Sequence, residues 1–244
     1  MKRVFPILAI LTAGLLSYAL YEALIAAPTE QTMGDVQRIF YYHVPSAWTA
    51  FILFFVNFFA SIVYLIRRNT KADIVALVTA EVGVIFCTVV LVTGPIWARP
   101  VWGIWWTWDL RLTLTLVLWL IYVSYLVLRR FSSSGQTPLL AAVLAVFGAL
   151  DVPLVYFSIW FFRTQHPQPV IGGGGSIDPR MLHVLLINWL AFSCFAALVC
   201  WSRYRLEVLR REVDETLALE ALLEPRSSQT RSSQTKTSQT GRAG

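Results

Sequence analysis

Charge is scarce in this chain. Asp, Glu, Lys and Arg make up 14% of its 244 residues, while 57% are hydrophobic, and the mean hydropathy is +0.61. Soluble domains carry about 25% charged residues, so this composition excludes a water-soluble globule and points to a membrane protein. Cysteine is almost missing. Cys87, Cys194 and Cys200 all fall inside apolar runs, and no two stand in a Cys-x-x-Cys pair. That excludes a dithiol redox motif and covalent haem attachment to this chain, and the three read as packing residues. Histidine is equally rare, with only His43, His166 and His183. Their spacing does not supply the three or four ligands that zinc wants. No serine sits in a constrained turn beside a base, which argues against a hydrolase triad. The run Gly172–Gly175 lacks the strand–loop–helix setting of a phosphate cradle. The net charge of +6 gives no reason to invoke nucleic acid, because the positions of the basic residues have another explanation.

What the chain has is length of apolar sequence. Six stretches reach the length needed to cross a bilayer: Val4 to Ala27, Ser46 to Ile66, Ala72 to Trp97, Leu112 to Leu128, Leu139 to Phe162 and His183 to Trp201. Backbone groups in lipid must be satisfied within each segment, and barrel-type alternation is missing, so all six are expected to be helices. The fold class is therefore an all-α integral membrane protein with six transmembrane helices. Basic residues at 2–3, 67–71, 129–130 and 203–211 alternate with sparser ones at Arg38, Arg99, Arg111, Arg163 and Arg180. The positive-inside rule then puts both termini in the cytoplasm. The first segment has Lys2, Arg3 and a small-residue end at Ala26-Ala27, as a signal peptide does, but its apolar run is long, and a retained helix is expected. Residues 1–203 form the membrane domain, with external loops near 28–45, 97–112 and 163–182. Residues 204–223 are a short charged cytoplasmic extension, expected to be helical. The Ser/Thr/Gln-rich repeats of 224–244 are expected to be a disordered tail.

The external loops concentrate the chemistry. Trp97, Trp102, Trp105, Trp106 and Trp108 crowd around Asp109 and Arg111. Tryptophan suits a headgroup belt, but this density also makes an aromatic platform with a polar edge, on which a flat apolar ring system would rest. In a continuous helix Trp102, Trp105, Trp106 and Asp109 would share one face. All three histidines fall on the same side. His43 precedes Pro45 and Ser46, which suit a helix start with Ser46 as cap. Each histidine alone reads equally well as a solvated loop residue. Together with the platform they suggest two imidazoles on opposite sides of a haem. Arginines on that side, Arg38, Arg99 and Arg111 among them, suit propionates, or else pair with Asp35, Asp109 and Asp178. Within the helices, Glu81 and Asp151 stand out as ionisable groups at membrane depth. They are expected to meet Asn57 or Asn188, or, for Asp151 near Pro153, backbone groups freed at a kink.

Two motifs carry a resemblance. Tyr41-Tyr42-His43-Val44-Pro45-Ser46-Ala47-Trp48 and the segment from Trp102 to Thr113 are similar to those of the cytochrome c maturation protein C (CcmC) family, haem-handling proteins with a tryptophan-rich WWD motif. The resemblance covers Val4 to Trp201. It implies haem b held as cargo at the periplasmic face of the bacterial cytoplasmic membrane, with His43 and His166 as axial ligands to the haem iron. It also implies that Trp97, Trp102, Trp105, Trp106, Trp108 and Asp109 contact the porphyrin. The family histidine after the fifth helix is followed by Gln, whereas this chain reads His166-Pro167-Gln168, so His183 stays open as a competitor. Family members pass haem to the chaperone CcmE, with CcmD and the ABC-type subunits CcmA and CcmB as machinery. That is a binding and transfer role rather than an enzyme with its own turnover. Two other readings stay open on the residues alone: a bis-histidine electron-carrying cytochrome, and a small-molecule permease using Glu81 and Asp151.

Overall fold

The computed structural model describes residues 4–132, 134–162, 164–167 and 177–240, those after Leu223 as backbone only. Arg163 and the glycine run 172–175 lie outside the described residues. The chain divides into two units, Met1–Trp201 and Ser202–Gly244. The helices are α1 (Val4–Tyr21), α2 (Phe40–Arg67), α3 (Thr70–Trp102), α4 (Leu110–Phe131), α5 (Thr137–Ala149), α6 (Asp151–Phe161) and α7 (Pro179–Thr240). A π turn, Glu22–Ala26, extends α1, and a 3-10 turn, Asp35–Ile39, leads into α2. No strand is formed among the described residues. Six segments are long and apolar enough to cross a membrane, with α5 and α6 together making the fifth. This is a six-span membrane protein. Large apolar side chains such as Ile10, Phe59 and Ile85 face outward, which lipid permits and water would not.

The α2–α3 hairpin is the backbone of the first unit. Arg68 adopts a left-handed conformation (φ 52°) and its N–H donates to the Tyr64 carbonyl, closing α2. Asn69 then caps α3, its side-chain oxygen accepting from the N–H groups of Lys71 and Ala72 at 2.9 and 3.3 Å. Such a cap satisfies donors that the helix itself leaves open. The two antiparallel helices pack closely because Gly83 lies against the ring of Phe54, which in turn stacks on Tyr122 of α4 at 3.9 Å. At the arginine-bearing end, Arg129 of α4 grips the buried Asp73 of α3 through two bonds of 2.5 and 2.9 Å. A bidentate pair of this kind fixes register as well as charge. On the other flank, α1 meets α7 through Phe5 and Trp201, and Asn188 donates to the Ala19 carbonyl.

Three details differ from the sequence expectations. Helix α2 begins at Phe40, so Ser46 does not cap it but lies buried inside it, and Pro45 is an internal residue. The 3-10 turn already supplies the helical start, and Pro45 withholds only the N–H that would have reached Tyr41. The fifth span is two helices. Pro153 cannot donate to the Ala149 carbonyl, and the chain breaks at Leu150, whose N–H turns to the Phe147 carbonyl at 3.2 Å. Asp151 sits at this break with Oδ2 buried and without a hydrogen-bond donor among the described residues. Asn57 and Asn188 spend their N–H groups on the carbonyls of Ala76 and of Val184 and Ala19. In the second unit α7 continues with i, i+4 pairs, Glu207 with Arg211 at 3.0 Å and Arg210 with Asp214 at 3.9 Å.

Candidate functional site

The tryptophan segment is a loop between two helices, not one continuous helix. Gly103 takes φ 79°, a conformation that favours glycine, and its N–H closes α3 onto the Arg99 carbonyl at 3.0 Å. Arg99 answers by donating its guanidinium to the Gly103 carbonyl. The chain stays irregular until Asp109, whose Oδ1 accepts from the Leu112 N–H at 3.0 Å and starts α4. The shared helical face expected of Trp102, Trp105, Trp106 and Asp109 is therefore not formed. The rings instead pair edge to face, Trp97 with Trp102 at 5.1 Å and Trp106 with Trp108 at 5.8 Å. Trp105 and Trp108 remain 59% and 76% exposed, so an open aromatic surface exists here.

The two histidines that flank this segment in sequence come together in space. His43, in the first turns of α2, and His166, in the loop after α6, have ring centroids 6.5 Å apart and planes inclined by 34°. Metal–imidazole bonds of about 2 Å on either side of one metal put two ring centroids roughly 6 Å apart. The hydrogen bonds assign the ring protons. Nδ1 of His43 lies 2.9 Å from the Thr93 hydroxyl of α3. That hydroxyl has one proton and gives it to the Val89 carbonyl at 2.6 Å, so it accepts from His43, and Nδ1 carries the hydrogen. His166 Nδ1 lies 2.9 Å from the Pro167 carbonyl, which can only accept. Both rings therefore carry hydrogen on Nδ1 and keep the Nε2 lone pair, the arrangement of a metal-binding imidazole with its second partner in place. Desolvation and, after it, the positive charge of Arg111 push His166 down to about 4, which keeps it neutral at physiological pH.

Residues 1–219 match the family model CcmC, "Heme exporter protein C". The chain is 36% identical over 222 residues to heme exporter protein C of Bradyrhizobium diazoefficiens, covering 90% of this chain and 84% of that one. It is 30% identical to the proteins of the same name from Haemophilus influenzae, with 86% and 87% covered, and Escherichia coli K12, with 81% of each. The chain belongs to the CcmC family.

Within this CcmC-family chain, Asp109 does more than cap a helix. Its Oδ2 accepts from the Thr164 hydroxyl at 2.9 Å, and Thr164 Oγ1 accepts from the His166 N–H at 3.1 Å. The aspartate at the end of the tryptophan segment thus anchors the loop that carries His166. Arg111 points at the same region, donating to the carbonyls of Val155 and Tyr156 on α6 at 3.3 and 3.5 Å. Arg38 is engaged elsewhere, with Asp35 at 3.1 Å and the Ala23 carbonyl at 3.0 Å. Arg180 pairs with Asp178 at 3.0 Å, and that contact draws the Asp178 carboxyl below its ordinary range. His183 is exposed and lines an open depression of about 410 Å³ with Glu22, Pro28 and Arg180. The structure brings His43 and His166 together and leaves His183 outside the pair.

Thr93 and Thr164 were not found from the sequence. Thr93 is fifty positions from the ring it serves, and no spacing rule links them. Thr164 had a weaker signal, as a small hydroxyl two residues before a histidine.

Proposed function

We propose that this chain holds haem b at the outer face of the bacterial cytoplasmic membrane and delivers it to the chaperone CcmE for cytochrome c biogenesis. CcmD and the ABC-type subunits CcmA and CcmB are its partners in that machinery. Haem is cargo here rather than a resident cofactor, and the chain is not an enzyme with turnover of its own. Membership of the Heme exporter protein C family supports the export role, and the single observation that carries the site is the His43–His166 pair, each with Nδ1 engaged and Nε2 without a hydrogen bond among the described residues. Two imidazoles are too few for a metal held by protein alone. Among the described residues no group of three His, Cys, Asp or Glu is placed to hold one. Two imidazoles on opposite faces suit an iron whose other positions are filled by its own macrocycle.

In this reading His43 and His166 are the axial ligands. Trp97, Trp102, Trp105, Trp106 and Trp108 offer ring faces and edges to the porphyrin, and their exposure leaves room for a second protein to take the cargo. Of Arg38, Arg99 and Arg111, the last is best placed for a propionate, because its charge already reaches His166. The sparse basic residues at this end of the bundle support an outward orientation.

The test is the visible spectrum of detergent-purified protein for wild type, His43→Ala and His166→Ala. A low-spin haem spectrum in wild type, lost or converted to high spin in both variants, is the expected result. A His166→Ala protein with an unchanged low-spin spectrum sinks the pairing and brings His183 forward. Wild type that never retains haem, even without the chaperone, removes the haem reading altogether.

A further inference from the structure

The His43 ring is not held by its own helix. It projects from α2 to α3, where Thr93 takes its Nδ1 at 2.9 Å. Next to Thr93 stands Gly94, and a Cβ there would come within 3.5 Å of the His43 Cε1 atom. The ring is thus set beside a hydroxyl that fixes its proton and packs against the α3 backbone at Gly94, where an added Cβ would make only an ordinary contact. Thr93 is itself fixed, because its only proton goes back along α3 to the Val89 carbonyl at 2.6 Å, with the Val90 carbonyl further off at 3.4 Å. With its proton given back to α3 the hydroxyl accepts from His43, and the opposite tautomer would require it to give up the Val89 carbonyl and donate to Nδ1 instead. The companion ring differs, since the partner of His166 is the main-chain carbonyl of Pro167, which no side-chain replacement removes. Among the described residues Thr93 is therefore the side chain that sets one of the two rings directly.

We propose that Thr93 is the positioning residue for His43: it locks hydrogen on Nδ1, presents the Nε2 lone pair to the haem iron, and raises the basicity of that nitrogen. The proposal rests on the haem reading of the site, but its first consequence needs no haem. With hydrogen on Nδ1 held by an acceptor, the other nitrogen is a stronger donor to a metal, and partners of this kind are worth about 10- to 100-fold in metal affinity. A more basic axial ligand favours ferric over ferrous iron, so losing the bond raises the reduction potential of bound haem.

The chain has three histidines, so selective 15N-histidine labelling gives a readable spectrum of the full-length protein in detergent. In haem-free wild type, His43 is expected to show a protonated Nδ1 and an unprotonated Nε2. Thr93→Val, close in shape but without the acceptor, is expected to move His43 toward the opposite tautomer. Thr93→Ser, which keeps the hydroxyl, should restore the wild-type pattern and controls for folding. On haem-loaded protein, Thr93→Val should release haem to an excess scavenger about 10- to 100-fold faster and show a raised reduction potential, with Thr93→Ser near wild type. An unchanged His43 tautomer in Thr93→Val overturns the assignment. So does a changed tautomer with haem release and potential both unaltered. If wild type takes up no haem while the tautomer still responds to Thr93, the haem reading fails and the Thr93–His43 lock stands.

Discussion

Replacing Asp109 with alanine separates two roles that one carboxylate plays. The change removes the cap on the Leu112 N–H and the acceptor for the Thr164 hydroxyl, contacts of 3.0 and 2.9 Å. Loss of an N-cap costs about 0.5–2 kcal/mol, and it falls on haem-free and haem-bound protein alike, so it lowers the melting temperature but not affinity. Loss of a hydrogen bond to a charged acceptor costs roughly 1.5–3 kcal/mol. It falls on the loop that must hold His166 in place, so it lowers affinity by roughly 10- to 100-fold at 1.4 kcal/mol per decade. Asp109→Asn keeps a capping oxygen, and its amide can donate to Thr164, so its loss should stay below about tenfold. Thr164→Val cuts the bridge and spares the cap. It should release haem as fast as Asp109→Ala does while melting like wild type. The assay is haem loss from detergent-purified protein to an excess scavenger, beside a thermal melt. The double variant decides the matter: residues acting through one bridge are non-additive, so Asp109→Ala with Thr164→Val should release haem no faster than Asp109→Ala alone. Release rates that multiply in the double variant refute the bridge.

Three further outcomes test the rest of the structure. His166, held near 4 rather than its ordinary 6.5 by desolvation, takes up its proton later than an unfolded chain would. Its contribution to stability is therefore flat above pH 6.5 and declines as pH falls from there to about 4, and a 15N titration of His166 with a midpoint near 6.5 would contradict the desolvation of this half-buried ring. Gly83→Ala places a Cβ 2.7 Å from Phe54 Cε1. Overpacking there should cost about 1–3 kcal/mol, partly offset by about 1 kcal/mol of helix propensity, and a melting temperature above wild type would show that the Phe54–Tyr122 stack yields freely. Arg129→Ala takes the guanidinium from the buried Asp73 carboxylate and should cost about 3–5 kcal/mol. Adding Asp73→Asn should recover part of that loss, and a double variant less stable than Arg129→Ala is the contrary result.

Six spans were readable because lipid forces a simple code: length and apolarity specify a helix that must satisfy its own backbone. Their ends were less readable, since the residues that set them work by exceptions. Arg68 turns left-handed without being glycine, Pro45 sits inside a helix started upstream, and Pro153 breaks a span that hydropathy alone reads as continuous. The candidate ligands were legible from motif context, and His43 and His166 do meet. The supports of those ligands were not legible. Thr93 and Thr164 matter through single contacts made across the bundle, and periodicity carries no trace of a contact between residues fifty positions apart. The tryptophan segment shows the same limit, because its i, i+3, i+4 spacing suggests a shared face that Gly103 and the Asp109 cap abolish.

The two histidine rings proposed as ligands rest on supports in different parts of the fold. His43 is built into a long helix and tied to its packed neighbour, so its position is set by the same α2–α3 contacts that hold the fold. His166 stands on an irregular segment, tied by one threonine to one aspartate at the start of α4. Both supports are part-buried side-chain hydrogen bonds, but the first joins two packed helices and the second joins an irregular segment to the start of α4. The exposed Trp105 and Trp108 lie on the same connection as Asp109, the residue that anchors the His166 side.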